Sequence, residues 1–195
     1  VDFPGIARAQ DLNPHEGYIL CMQHPNTLET DEAGRQMRAT LSALDQLDMP
    51  TLILHPNGDP GRELMMKEIA KIKNRKWARV EKSVHHRNFC HLFKNARAVV
   101  GNSSAGLIEG SYFNVPYVCV GSRNTGREHG KNVIFTTHDS KKILSALKKT
   151  ISPGFRKKLA KRPSPYGRGK YKKKIVNILK NLNLDDKLML KRLTY

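Results

Sequence analysis

Short apolar runs, each ending in a polar turn and followed by a helical pattern, alternate along residues 17–150 of this chain. Tyr18 to Met22 is the first run and leads into Gln23, His24, Pro25 and Asn26. Asp31 then opens a predicted helix to about Leu47, with Met37, Leu41, Leu44 and Leu47 at helical spacing. Pro50 halts the chain before a strand at Thr51–Leu54, which runs into a stack of turn formers from His55 to Gly61. A helix is predicted over residues 62–73 and a weaker strand over residues 78–84, ending at His85 and His86. Phe89, Leu92 and Phe93 mark a helix that stops near Asn95. Residues 98–100 form the next strand, and Ser103 or Ser104 is placed to cap a helix through Phe113. Beyond Pro116 come strands at residues 117–120 and 133–135, then a helix near residues 141–149. Strand and helix in strict alternation predict an α/β domain, a doubly wound, Rossmann-like parallel sheet with helices on both faces.

In such a sheet, ligands sit beyond the carboxyl ends of the strands, so the residues that follow each run carry the most information. Here they are polar: His24 after the first strand, Asn57 and Asp59 after the second, and His85 and His86 after the third. Asn102, Ser103 and Ser104 follow the fourth, and Arg123 to Arg127 the fifth. Residues 101–128 are the richest stretch. A Gly/Ser turn opens a helix carrying Glu109, and Arg123 and Arg127 follow the next run. Amides at a helix start and guanidinium groups both hold phosphate, and a carboxylate one to two turns into the helix suits sugar hydroxyls. The segment reads as a cradle for a nucleotide-sugar diphosphate. Plainer roles stay open for each residue. His24 could be a hydrogen-bonded loop residue, Ser103 and Ser104 helix caps, Arg123 and Arg127 partners of Glu128 or another acid, and residues 57–60 simply a turn.

Composition bounds this picture. With 195 residues and 38% hydrophobic content the chain can build one real core. Residues 1–16 lack sustained periodicity and begin with Val1, so they are expected to be an interdomain linker remnant. The predicted division is linker 1–16, a Rossmann-like nucleotide-sugar-binding domain 17–150, and a basic loop with an amphipathic helix over 151–195. No apolar run approaches the roughly 20 residues needed to span a bilayer, and no secretory signal core is visible, so a cytoplasmic protein is the expectation. Cys21, Cys90 and Cys119 are odd in number, sit among apolar residues and lack metal spacing, which predicts reduced core thiols and no metal.

The net charge of +18 is very uneven. Residues 141–195 hold 18 Lys and Arg against only Asp185 and Asp186, whereas residues 1–140 are nearly neutral. Tyr171, Ile175, Val176, Ile178, Leu179 and Leu182 form an apolar helical stripe, leaving Lys170, Lys172, Lys173, Lys174 and Lys180 mostly on the other face. A solvated helix back and attraction of an anionic partner both fit. No aromatic platform or recognised motif accompanies the charge, so specific nucleic-acid binding is not expected.

Taken in order, these residues resemble the C-terminal half of UDP-N-acetylglucosamine 2-epimerases, particularly the hydrolysing type that forms N-acetylmannosamine. The resemblance spans about Gly17 to Leu182. It rests on His24-Pro25, Pro56-Asn57-Gly58-Asp59 with Gly61, and Gly101-Asn102-Ser103-Ser104 with Gly106 and Glu109. It continues through Gly121-Ser122-Arg123, Gly126-Arg127-Glu128, Gly130, Asn132-Val133, and Tyr166-Gly167 with Gly169. Non-hydrolysing members usually carry an Arg-rich stretch after the histidine and an Asp-Ser-Gly-Gly turn, where this chain has His24-Pro25-Asn26-Thr27 and Asn102-Ser103-Ser104-Ala105-Gly106. Family members often have Asp where this chain has Arg168.

The resemblance implies the C-terminal, nucleotide-binding domain of a glycosyltransferase-B architecture that needs no cofactor. A UDP-sugar substrate, the N-terminal half of the same protein and a homodimer of full-length chains are the implied partners. Ser103 and Ser104 with nearby amides would hold the diphosphate, and Glu109 the ribose hydroxyls. Asn57, Asn102 and Arg123 would line the nucleotide site, His85 and His86 would flank the uracil, and a His24 imidazolium would stabilise or protonate departing UDP. The implied reaction is anti elimination of UDP to a glycal, then water addition with inversion at C2. The carboxylate bases would belong to the other half. Two other classes stay open: the UDP-binding half of another glycosyltransferase of this architecture, and a non-catalytic UDP-sugar-binding domain with a basic tail.

Overall fold

The computed structural model describes residues 12, 13, 16–159, 164–167, 169 and 171–190. Most of the expected linker, and Arg168 and Lys170, lie outside the described residues.

Six strands form one sheet: β1 (Ile19–Met22), β2 (Thr51–Leu54), β3 (Ala78–Glu81), β4 (Ala98–Gly101), β5 (Tyr117–Val120) and β6 (Val133–Thr136). They lie in the order β3-β2-β1-β4-β5-β6, and every pairing is parallel. The order reverses between β1 and β4, where Ile19 pairs with Ala98 and Met22 with Gly101. That reversal is the switch point at which connections leave to opposite sides and open a crevice. β1, β4 and β5 are buried at every position, because each is covered on both faces.

Successive side chains point to opposite faces and build two cores. Ile19, Cys21, Ile53, Val100, Val118 and Val120 pack with Met37, Leu41 and Leu44 of α1 (Ala33–Leu47), Met65 and Ile69 of α2 (Arg62–Ile72), and Ile143 and Leu147 of α5 (Ser140–Ile151). Tyr18, Leu20, Met22, Leu52, Val99, Tyr117 and Cys119 face the other way. They meet Leu92 and Phe93 of α3 (His86–Asn95), together with Leu107 and Val115 around α4 (Ile108–Phe113). The Rossmann-like α/β fold expected from the alternation is present.

Several element ends differ from expectation, each for a local reason. The weak strand predicted through Val84 stops at Glu81, since its one partner β2 ends at Leu54, opposite Glu81. The helix expected from Asp31 starts as a 3-10 turn at Thr30–Glu32 and becomes α-helical at Ala33. The helix expected from Ser103 or Ser104 begins as a 3-10 turn at Ser104–Gly106, and neither serine hydroxyl caps it. Gly106 lies against the Tyr117 ring, where a Cβ would come within 2.4 Å of ring carbons.

The remaining helices are α6 (Pro153–Leu159), α7 (Tyr171–Lys180) and α8 (Asp186–Met189). The apolar stripe of α7 is exposed, with Ile175, Ile178 and Leu179 each at least half accessible. Cys21 and Cys119 are buried free thiols, and burial pushes the Cys21 thiol up to about 12. Cys90 departs from the core expectation: it is only partly buried, 3.8 Å from the His86 ring. Among the described residues no helix is long and apolar enough to cross a membrane.

Candidate functional site

The site grows out of the ends of β1 and β4. Gly101 adopts φ +130°, and a Cβ there would sit 2.0 Å from the Met22 carbonyl oxygen, so glycine is what lets the two strand ends meet. The same carbonyl accepts from the amides of Asn102 at 3.1 Å and Ser103 at 3.3 Å. With the backbones clamped, the buried Asn102 side chain spans the crevice. Its Oδ1 accepts from the His24 amide at 2.7 Å, and its Nδ2 donates to the His24 carbonyl at 2.8 Å.

His24 is further fixed from the loop after β2, where the Asn57 amide donates to its Nδ1 at 3.1 Å. A ring nitrogen that accepts carries no proton, so the neutral ring keeps its hydrogen on Nε2. Burial first, then the positive charge of Arg123, lowers the imidazole below its ordinary value, while Asp59 pulls the other way. In this arrangement the neutral ring has its donor at Nε2.

Arg123 approaches from the loop after β5. Its Nη1 donates to the Asn102 carbonyl at 3.3 Å, and its Nη2 lies 3.8 Å from Asp59 Oδ2. Asp59 also accepts from Asn57 Nδ2 at 2.6 Å. The buried Asn124 completes the cluster by donating to the Asn102 carbonyl at 2.8 Å. Four predicted residues, His24, Asn57, Asn102 and Arg123, thus share one bonded network at the switch point.

Ser103 and Ser104 continue directly from it. The Tyr117 hydroxyl lies 2.9 Å from the Gly101 carbonyl and 3.0 Å from the Ser103 carbonyl, holding the turn that starts the helix. The first amides of such a turn point outward along its axis. Glu109 lies in the first turn of α4, half-buried, with no hydrogen bond or ion pair to another described residue. Asn132 locks this unit from below, donating to the Gly106 and Val115 carbonyls at 3.0 Å each.

His85 and His86 stand apart from the network among the described residues. His85 caps α3, its Nδ1 accepting from the Arg87 amide at 3.4 Å, and His86 is the first residue of that helix. Arg127, expected beside Arg123, instead lines a separate cleft of about 670 Å³ with Thr125, His129, Phe135, Thr136 and Thr137. The Tyr166-Gly167 segment touches the same loop, with the Tyr166 hydroxyl donating to the Glu128 carbonyl at 2.5 Å.

Sequence reasoning missed Asn124 and a second brace across the rim. Asn26 Nδ2 donates to Ser122 Oγ at 3.2 Å, and Ser122 donates to Glu29 at 2.9 Å, tying the loops after β1 and β5. Asn26 does follow His24 and Pro25 at a strand end, and Asn124 follows Arg123. Their adjacency to expected site residues was the available signal.

The fold and its rim place the molecule among Rossmann-like α/β domains that take ligands at the switch point. A family model described as UDP-N-acetylglucosamine 2-epimerase matches residues 4–180, and the chain belongs to that family. It is 33% identical over 141 residues to a UDP-N-acetylglucosamine 2-epimerase of Neisseria meningitidis serogroup B, covering 72% of this chain and 37% of that protein. It is 29% identical over 178 residues to a hydrolyzing UDP-N,N'-diacetylbacillosamine 2-epimerase of Legionella pneumophila, covering 91% of this chain and 46% of the relative. The chain thus spans less than half the length of these relatives. Among solved structures, the UDP-GlcNAc 2-epimerase of Methanocaldococcus jannaschii superimposes with a TM-score of 0.69 at 16% identity, over 91% of this chain and 49% of that one. The S. aureus MnaA–UDP co-structure gives 0.67 at 19% identity, over 86% and 45%. At such identities these two likenesses speak for the fold.

Proposed function

We propose that this chain is the C-terminal, nucleotide-binding half of a hydrolysing UDP-HexNAc 2-epimerase of glycosyltransferase-B architecture, with residues 17–150 forming the UDP-binding domain. The observation that carries the reading is the network of His24, Asn57, Asn102 and Arg123 at the switch point, beside the Ser103–Ser104 turn. Its chemistry fits a nucleoside diphosphate sugar. Outward amides and serine hydroxyls of the turn hold phosphate oxygens, and Arg123 adds a planar charged donor. Glu109, a half-buried acceptor with no described partner, takes the ribose hydroxyls. His85 and His86, at the carboxyl end of β3, border the uracil side of the rim.

In this reading His24 faces the bond that breaks. Its Nε2–H donates to the departing phosphate oxygen, while Nδ1 stays bound to the Asn57 amide. Burial and Arg123 keep the ring neutral, so it steadies the charge that builds on the leaving oxygen through this Nε2–H hydrogen bond, without a net gain or loss of its own proton. UDP departs with C2 deprotonated on the opposite face, giving a glycal, and water then adds with inversion at C2 to release N-acetylmannosamine or a related sugar. The carboxylates that abstract and return the proton belong to an N-terminal half. Residues 1–195 alone therefore bind UDP weakly and do not turn over. The complete enzyme is a cytoplasmic homodimer.

Hydrolysis over simple epimerisation is favoured by His24-Pro25-Asn26-Thr27 and by Asn102-Ser103-Ser104-Ala105-Gly106. Relatives from Legionella pneumophila and Campylobacter jejuni whose names carry "hydrolyzing" also favour it. Product identification tests it, using a protein that carries both halves and UDP-N-acetylglucosamine as substrate. Free N-acetylmannosamine with UDP is the expected pair. UDP-N-acetylmannosamine as the product would rule out the hydrolysing assignment.

A further inference from the structure

Asp59 belongs to the candidate site by geometry, yet it stands in a turn whose sequence explains itself without any ligand. Its carboxylate is anchored on one side: Oδ2 accepts from Asn57 Nδ2 at 2.6 Å, and Asn57 is itself held through its own amide to the His24 ring. Arg123, facing it, is held loosely. Its contacts are 3.8 Å to Asp59 and 3.3 Å to the Asn102 carbonyl, both longer than the 2.7–2.9 Å usual for charge-assisted bonds. Both side chains are about one-third exposed, so an incoming anion can reach the pair. A fixed acid thus faces a cation whose bonding capacity is largely unspent.

We propose that Asp59 is a positioning residue that serves as the stand-in anion for Arg123, keeping the guanidinium over the Asn102 carbonyl until a nucleoside diphosphate displaces it. This rests on the UDP-binding reading of the rim and deepens it. Asp59 does not touch the nucleotide. When the diphosphate arrives, Arg123 exchanges one weak ion pair for a bidentate phosphate contact, and Asp59 keeps its bond to Asn57. The arrangement holds the arginine ready at the cost of affinity, because the bound anion must compete with an acid already present.

A double-mutant cycle on the 195-residue chain separates this role from simple charge repulsion, with UDP and inorganic pyrophosphate as calorimetric probes at low salt. Asp59→Asn is expected to bind both probes about three- to tenfold more tightly than the wild type. Asp59→Glu, which keeps the charge, stays near the wild-type affinity. In an Arg123→Gln background the gain from Asp59→Asn disappears, since no cation is left to release. A gain that persists in that background assigns Asp59 to general repulsion and overturns the proposal. Unchanged or weaker binding by Asp59→Asn overturns it too, while leaving the UDP reading intact. Absence of UDP and pyrophosphate binding in every form overturns the nucleotide reading itself, and the proposal with it.

Discussion

His24 and Asn102, 78 residues apart, are joined by two opposed hydrogen bonds, the His24 amide to Asn102 Oδ1 at 2.7 Å and Asn102 Nδ2 to the His24 carbonyl at 2.8 Å. A carboxamide is the side chain that offers a donor and an acceptor at this spacing. The pair fixes the loops after β1 and β4 to each other at the crevice. Asn102→Ala leaves the His24 amide and carbonyl without these partners and should cost about 2 to 3 kcal/mol. The expected readout is a lower midpoint in urea with an unchanged slope, together with weakened UDP binding.

The protonation of His24 follows from its neighbours. Imidazole NMR should place its midpoint below 6.5, with the proton of the neutral ring on Nε2. Arg123→Gln should raise that midpoint and Asp59→Asn should lower it, because Arg123 lowers and Asp59 raises the value. A folded value below the unfolded one means that His24 contributes stability above pH 6.5, and that the contribution fades as pH falls through the folded midpoint. A midpoint above 6.5 in the free chain would contradict the neutral resting form.

Gly101 and Tyr117 set the shape of the turn. Gly101→Ala combines φ +130° with a Cβ 2.0 Å from the Met22 carbonyl, and should cost about 3 kcal/mol or more by forcing β1 and β4 apart. Tyr117→Phe removes the hydroxyl from the Gly101 and Ser103 carbonyls at smaller cost, about 1 to 2 kcal/mol. Thermal unfolding should rank the two in that order.

Far from the site, Glu68 bridges α1 and α2. It accepts from Arg38 Nη2 at 2.8 Å and Nε at 3.0 Å, and from Lys71 at 2.7 Å. The Arg38 hydrogen bond is the main reason that its carboxyl is held down to about 2. A depressed carboxyl stabilises above its unfolded value and loses that contribution as pH falls through the folded one. The window here runs from about pH 4.5 down to about 2. Since Arg38 and Lys71 are largely exposed, solvent screening limits the contribution to about 1 to 2 kcal/mol at neutral pH. Glu68→Gln should remove it and flatten the acid limb of stability over that window.

The sheet was legible because its central strands are short, continuous apolar runs buried on both sides, and because Pro and Gly punctuate them. The end of β3 was not legible, since it depends on where β2 stops at Leu54. His24, Asn57, Asn102 and Arg123 were found because strand ends converge in this fold. Their actual contacts, and those of Asn124 and the Asn26–Ser122–Glu29 brace, link residues up to 96 apart, which local spacing does not encode. His85 shows the opposite case. The two adjacent histidines after a strand are visible in the sequence, whereas the cap that the first makes on α3 appears only once the helix start is known.

The most direct test of the central claim is an amide chemical-shift titration of this chain with UDP. The largest shifts should fall on His24, Asn57, Asn102 to Ala105, Glu109 and Arg123, and Arg123→Gln and Glu109→Gln should each weaken binding by about tenfold or more. Absence of binding, shifts confined to the Arg127–Phe135 cleft, or affinity unchanged in both variants would contradict the account.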